Sequence, residues 1–500
     1  MSDERAIDPG RYLAGLQCER RLWLASRSAG IAASAAPSAE REAWARTRRE
    51  LRELAFGLFP AARRVAEPDF RRAVARTREL LADPSVPAVA AAVFAAGGAS
   101  ARIDFVERLG ARGFGLRQVR AALRPSEAAL DELAFRYHVA RSSGLEVVSV
   151  EVVLLDADYV RGHGAPDPRS LLRRVDVTGQ VRFLAGDLET RLEEQKRILA
   201  REQAPGTEPS PHCRRPDSCE FLAHCTADKP PDWIGYLPAL RANPFAELRA
   251  RGIERIRDLD PDFSRTPAQR NARECLLRGK AYATGDLARR LAGFGPPADA
   301  LDFEAILPEI PVFAGTRPFE VVPFQWSAWL SGGDSEPVQA EFLADGRSDP
   351  RREFAESLID AFAPRTLPIL VYSGFESEVL GALSRAFPDL VDGLERIRAR
   401  LRDLLPVLRR SVYHPAFLGS FSLKRVAPAL CPGFTFSDLP GIADGGAASR
   451  AWLSLARGEP SPERAAGILG ELREYCARDA IALVRLLAVL RNLEPAHSDR

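Results

Sequence analysis

The chain has 500 residues, more than one ordinary domain holds, so two or three domains are expected. Its apolar fraction of 46% is that of a globular protein, and no apolar run is long enough to cross a membrane. A formal net charge of +2 neither requires nor excludes nucleic acid, because an acidic catalytic cluster can cancel a basic groove. The first thirty residues lack the apolar centre of a secretory leader, which points to the cytoplasm.

Lysine stands only at positions 196, 229, 280 and 424, and arginine carries nearly all the positive charge. The arginine-rich stretch Arg41 to Arg78 reads as a solvated helical face, with phosphate binding as the alternative. Residues 1–229 open with Ala- and Arg-rich helical patterns. Strand-like segments follow at Ala101–Arg108, Phe114–Ala121 and Glu146–Leu155, with a helix at about 126–142. A helix over about 188–201 leads into a Pro-, Ser-, His- and Cys-rich loop at 203–232. Residues 230–297 read as a helical linker. Within it, Glu247–Asp260 has helix–Gly-Ile–helix character, either an ordinary helical turn or a helix-hairpin phosphate-binding element.

Residues 298–500 form the third region. Leu301–Ile306, Val321–Leu330 and Val338–Leu343 are expected strands in an antiparallel meander. A helix over about 350–361 precedes the apolar run Leu367–Tyr372, which reads as a buried parallel strand. Helices are expected at 376–386, 390–405 and 422–430. A long final helix starts at Ser461, suited to the N-cap, and Pro462, suited to the first turn. The fold class is therefore α/β.

Asp302 and Glu304 are two apart on a strand, so both carboxylates share a face and Phe303 takes the other. Paired carboxylates on an interior strand are costly unless a hard cation neutralises them. Glu376 follows the buried strand and opens a helix, a position that active sites favour. Tyr475 and Asp479 are four apart in the last helix and share a face. Several carboxylates around two cations, with a tyrosine to orient water, is the chemistry of two-metal nucleases.

Asp302-Phe303-Glu304, Phe375-Glu376 and Tyr475 to Asp479 together resemble the DEDDy 3′–5′ exonucleases, whose domain has a ribonuclease-H-like fold. Segment 301–490 is also similar to the C-terminal part of a bacterial family catalogued as a domain of unknown function, through PFQWS (323–327), DPR (349–351), VYSGFE (371–376), GSFSLKRVAPAL (419–430) and YCARD (475–479). The resemblance implies Mg²⁺ or Mn²⁺ held by Asp302, Glu304, Glu376 and Asp479, Tyr475 as water-orienting residue, and nucleic-acid 3′ ends as substrate, with DNA favoured over RNA. The family has Asp where this chain has Glu376. Asp403 lies at a suggestive distance and is read as structural or supporting, with a ligand role as the minor alternative.

Cys213, Cys219 and Cys225 are spaced six apart in the loop, and Cys18 lies far upstream. The C-x2-C pairs of zinc ribbons are absent, and four thiolates with one remote ligand suggest a [4Fe–4S] staple, with Zn²⁺ as the alternative. His212 and His224 flank the cluster and read as loop residues. Cys275, Cys431 and Cys476 read as small apolar residues. YLAGLQCERRLWL (12–24) is similar to the opening of RecB-like nucleases that carry an iron–sulfur cluster. That resemblance implies a restriction-endonuclease fold with an Asp on one strand and Glu-x-Lys on the next. Here those positions are Asp104, Gln118 and Arg120, so the core reads as degenerate, a scaffold for nucleic acid. LDELAFRYHVARSSGL (130–145) resembles the following helix, where Tyr137 is a substrate contact or a core aromatic. A non-catalytic adaptor in repair or defence, and an iron–sulfur redox sensor, are the competing function classes.

Overall fold

A computed structural model of the chain describes residues 6–27, 38–110, 113–264, 266–332, 335–439 and 441–495. The first five residues, on which the expectation of no leader partly rests, lie outside them. The chain divides into two compact units, one of Met1–Asp228 with Glu309–Phe319, the other of Lys229–Pro308 with Glu320–Arg500.

The first unit is built on a six-stranded sheet in sequential order: β1 (Arg63–Arg64), β2 (Ala88–Ala96), β3 (Ala99–Arg108), β4 (Phe114–Val119), β5 (Val147–Leu155) and β6 (Leu172–Asp176). Its longer helices are α1 (Pro9–Gln17), α2 (Glu19–Arg27), α3 (Ser38–Ala55), α4 (Phe70–Ala82), α5 (Glu127–Ser142) and α6 (Leu188–Ala200). β2, β3 and β4 form an antiparallel meander, and β5 runs parallel to β4. A parallel step needs a crossover, which α5 supplies. β6 pairs antiparallel with β5. The helical reading of the stretch before Ala101 is corrected by β2, and β6 lies where no element was read. Alanine has little strand preference, so AVAAAVFAA looks helical. Pairing with β3 fixes it as a strand, through a two-residue turn at Gly97-Gly98, where φ is +57° and +76°.

The segment Glu309–Phe319 completes this unit. Ile310 is buried with Phe59, Phe105 and Val153, and Phe319 packs against the same group. Arg161 fastens the segment through its backbone N–H to Thr316 O (2.9 Å) and its guanidinium to Pro311 O (2.9 Å).

The second unit carries β7 (Tyr282–Ala283), β8 (Asp299–Ile306), β9 (Val322–Gly332), β10 (Ser335–Leu343), β11 (Ile369–Val371), β12 (Leu401–Asp403) and β13 (Val412–Tyr413). Five of them form one sheet in the order β10-β9-β8-β11-β12. β9 is antiparallel to β8 and β10, whereas β11 is parallel to β8 and β12 to β11. The helices used below are α7 (Pro267–Arg278), α8 (Arg351–Phe362), α9 (Phe375–Ala386), α10 (Leu404–Ser411), α11 (Leu423–Leu430), α12 (Gly445–Ala456) and α13 (Pro462–Asn492). The Ser461 hydroxyl caps α13 by accepting from Arg464 N (3.4 Å), with Pro462 in its first turn.

Two expectations are corrected here. The helix expected over 390–405 is interrupted: it stops at Arg398, and Leu401–Asp403 pairs with β11 as a strand. Residues 230–297 are not a free linker. Trp233, Leu248, Ala272, Cys275, Leu287 and Leu291 share a core with Leu483, Leu486 and Leu490 of α13. In 247–260 a helix ending at Ala250 is followed by the single turn Ile256–Asp258, the ordinary helical turn of the two alternatives rather than a helix hairpin.

Candidate metal centre and the cysteine loop

β8 delivers Asp302 and Glu304 to the face on which α13 lies. Pairing puts Ser327 opposite Asp302 and Gln325 opposite Glu304, and directly opposed side chains point the same way. Four polar side chains therefore share one buried face. Gln325 donates to Leu472 O of α13 (2.9 Å), fixing the helix over the strands. The ladder shifts register between Glu304 and Ala305, a bulge that re-aims the carboxylate. α13 then contributes Tyr475 and Asp479, one helical turn apart. One oxygen from each of Asp302, Glu304 and Asp479 lies within 4.8 Å of the others, the only such group of metal-ligating side chains among the described residues.

Glu376, in the first turn of α9, is 4% exposed and close enough to raise the proton affinity of Asp302 and Glu304. Asp403 holds back Leu405 N (2.9 Å) as the cap of α10 and faces Glu376. Its carboxylate is committed to the cap, which supports Glu376 over Asp403 as the ligand.

Burial is the main reason these acids hold their protons, and mutual repulsion adds to it. Asp302 and Glu304 are pushed far above the carboxylate range, first by desolvation, then by Asp479 and the other acids. Glu376 is pushed up to about 8 and Asp479 to about 6, each first by burial. Asp299, three residues before Asp302 on the same strand, differs in its partners. It is fully buried but paired with Arg365 and with Arg400 (3.5 Å), while no arginine pairs with Asp302 or Glu304 among the described residues. Four buried oxygens around the cluster lack any hydrogen-bond partner: Glu376 Oε2, Asp479 Oδ1, Gln325 Oε1 and Ser327 Oγ. Unsatisfied buried oxygens are costly, and several at one point mark a place for cations or ordered water.

Tyr475 donates its hydroxyl to Asp479, and burial raises its own proton affinity. Cys476 is buried and donates to Asp302 Oδ2 (3.3 Å), so it borders the centre rather than merely filling core.

Sequence reasoning missed three participants. Lys424 of α11 lies 4.4 Å from the centre of the Tyr475 ring and donates to Ala443 O (2.6 Å). Its charge favours the ionised forms of Glu304 and Asp479. It sits in the quoted string GSFSLKRVAPAL, and its being one of four lysines was the available signal. Gln325 and Ser327 sit in PFQWS, where two polar residues at strand spacing in an otherwise apolar run was the signal.

In the first unit Asp104 of β3 is 5% exposed and fully occupied. It accepts from Gln118 Nε2 (2.5 Å) and Val119 N (2.9 Å), and Arg52 of α3 pairs with its other oxygen at 2.6 Å. Arg120 pairs with Glu132 of α5 at 2.5 Å. Cations of the protein thus stand beside the carboxylates of this centre. Tyr137 is buried in the core, its hydroxyl accepting from Arg141 (3.3 Å).

The cysteine loop is tied to the N-terminal helices. Gln17 donates to His212 O and Asp217 O (2.9 Å each), and Arg21 pairs with Glu220 at 2.8 Å. Cys18 ends α1 as its C-cap. Cys213 and Cys219 are buried with Leu24 and Phe221, and Cys225 packs against them. Burial pushes the Cys219 thiol up to about 11. No three of these sulfurs come within 4.8 Å of one another among the described residues. His212 lies 3.6 Å from Cys213 Sγ and bonds Ser210, whereas His224 is exposed.

No helix among the described residues is long and apolar enough to cross a membrane. No curated protein and no solved structure matches the chain. A family described as a domain of unknown function (DUF2779) matches residues 300–422, a span that holds Asp302, Glu304 and Glu376 but ends before Lys424, Tyr475 and Asp479.

Proposed function

We propose that the second unit is a ribonuclease-H-like 3′–5′ exonuclease of the DEDDy type, hydrolysing phosphodiesters of nucleic acid, DNA in preference. The observation that carries this reading is the convergence of Asp302, Glu304 and Asp479, with Glu376 buried near enough to act on the first two and four unsatisfied oxygens among the surrounding side chains. The sheet order, with one strand antiparallel between two neighbours and two parallel strands beyond, supports the fold assignment.

The donor set fits hard cations: all oxygen and anionic, with Glu376 Oε2 and Asp479 Oδ1 lacking other partners. Asp302, Glu304, Glu376 and Asp479 would hold Mg²⁺ or Mn²⁺, which when bound supplies Lewis acidity toward water and the departing oxygen. The protein's own groups do the rest. Tyr475, fixed by Asp479, orients the attacking water. Water adds to phosphorus, the P–O3′ bond breaks, and a nucleoside 5′-monophosphate leaves a strand one residue shorter. Lys424 offsets the charge of the phosphate beside four carboxylates.

For the first unit, a RecB-like core accounts for the meander β2–β4, the crossover helix and parallel β5. Asp104 bound by Arg52 is the reason to read it as non-catalytic. Adaptor function for the whole chain is the second reading, and the saturated Asp104 favours it for this unit alone. Cys18, Cys213, Cys219 and Cys225 are proposed to hold a [4Fe–4S] cluster. Their spacing along the chain, without the C-x2-C pairs of zinc ribbons, supports this over Zn²⁺.

The test of catalysis is digestion of a 3′-labelled single strand with Mg²⁺ or Mn²⁺. Asp302→Ala is expected to abolish it. Undiminished digestion by that variant removes the proposal.

A further inference from the structure

The fully occupied Asp104 leaves an unbalanced charge around it. Four arginines meet there: Arg48 and Arg52 of α3, Arg120 just past β4, and Arg136 of α5. Only two acids answer them. Arg52 takes Asp104, while Arg120 and Arg136 share Glu132. Arg48 has no carboxylate within ion-pair distance among the described residues, and the charges of Arg120, Arg52 and Arg136 act on it against that of Glu132 alone. Crowding among like charges weakens its hold on its proton, after the larger effect of its own desolvation. An added anion relieves the crowding.

The helix that carries Arg48 also sets an aromatic ring beside it. Trp44, Arg48 and Arg52 recur every four residues and form one stripe on α3. Trp44 is 56% exposed, a large apolar area to leave in water on an otherwise charged helix. A flat ring next to surplus guanidinium charge matches a strand with unstacked bases, the base on the ring and the phosphate on the arginines. A duplex keeps its bases stacked and cannot use the ring in this way.

We propose that Trp44, Arg48, Arg52 and Arg120 form a metal-independent site for single-stranded nucleic acid in the first unit. The inference rests on the proposed chemistry of the second unit only for the identity of the ligand. Internal arginines have taken over the charge that a cation would carry at Asp104, so the site binds phosphate without cutting it.

The test uses the full chain in chelator, so that no strand is consumed, and a fluorescein-labelled oligothymidylate of about twenty nucleotides, longer than one such site covers. Trp44→Ala is expected to weaken binding by roughly 5-fold to 150-fold, and Trp44→Phe to retain most of it. Arg48→Glu is expected to weaken binding at least as much and to flatten the log–log salt dependence by about 0.7 for each phosphate it no longer neutralises. An unchanged Tm verifies that both variants fold. Wild-type affinity in Trp44→Ala and Arg48→Glu overturns the proposal, as does failure of the wild type to bind the oligomer. The p-nitrophenyl ester of thymidine 5′-monophosphate separates the two claims. A wild type that binds the oligomer through these residues yet never hydrolyses the ester sustains the strand site and removes only the exonuclease.

Discussion

Glu376→Gln replaces a buried carboxylate by a neutral group of the same shape, and its effect on stability has a sign that depends on pH and on metal. Burial, then Asp403 and Asp479, push the carboxyl from 4.5 up to about 8. Below pH 4.5 folded and unfolded chains both keep the proton, and the residue costs nothing. Between those values the unfolded chain releases a proton that the folded chain retains, so stability falls as pH rises. Above about 8 the whole penalty is present, ~5 kcal/mol as an upper limit and about half of that once the cluster relaxes and admits water. In chelator the variant should therefore melt with the wild type near about pH 5 and above it at alkaline pH. At 2–4 °C per kcal/mol, the gain at alkaline pH is on the order of 5–10 °C. Saturating Mg²⁺ should reverse the order. A cation at 100 times its Kd adds ~2.7 kcal/mol to the wild type, and the variant has lost one of its ligands. Differential scanning fluorimetry from acid to alkaline pH, with and without Mg²⁺, reads all of this. A variant less stable than wild type in chelator at alkaline pH, or a gain that does not change with pH, refutes the account of an unpaired, metal-seeking carboxylate.

Lys424→Met should lower single-turnover cleavage about 10²-fold, as loss of one charge-stabilising donor does. It should also tighten Mn²⁺ binding, since a competing cation has gone; a residue that only packs on Tyr475 would move neither in this opposed way. In an Asp302→Ala background, Gln118→Glu with Arg120→Lys should not restore cleavage by the first unit while Arg52 still occupies Asp104. Endonuclease or exonuclease products from that double change alone would show that Arg52 is displaced readily. Cys213→Ser should lose the brown colour of anaerobically purified protein and lower its Tm; a colourless wild type rich in zinc would decide for the alternative.

The acids of the centre were legible because each sits where local periodicity fixes its direction. Asp302 and Glu304 obey the strand period, and Tyr475 and Asp479 the helix period. Glu376 follows a run apolar enough to be a buried strand. Lys424 was not legible, since nothing local says that α11 brings its side chain to α13. Arg52 was hidden for the same reason: its partner is Asp104, across the fold on β3. Residues 230–297 looked like a linker because their apolar side chains are answered by Leu483, Leu486 and Leu490, some two hundred residues onward. The strand at 401–403 is three residues long and is made by its pairing with β11, so its own composition could not announce it.

The eleven residues Glu309–Phe319 impose an order on how this protein is made. The first unit cannot bury Ile310 until the ribosome has also produced the first strand of the second. At roughly 5–20 residues per second, the stretch from Asp228 to Phe319 delays completion of that core by about 5–20 s. For that interval the nascent chain carries an unfinished apolar surface around Phe59 and Phe105. The same arrangement ties inheritance to synthesis. A gene break after Asp228 would part the first unit from Glu309–Phe319 and leave every segment of the second on one piece, so it is the first unit that can be inherited only with the rest of the chain.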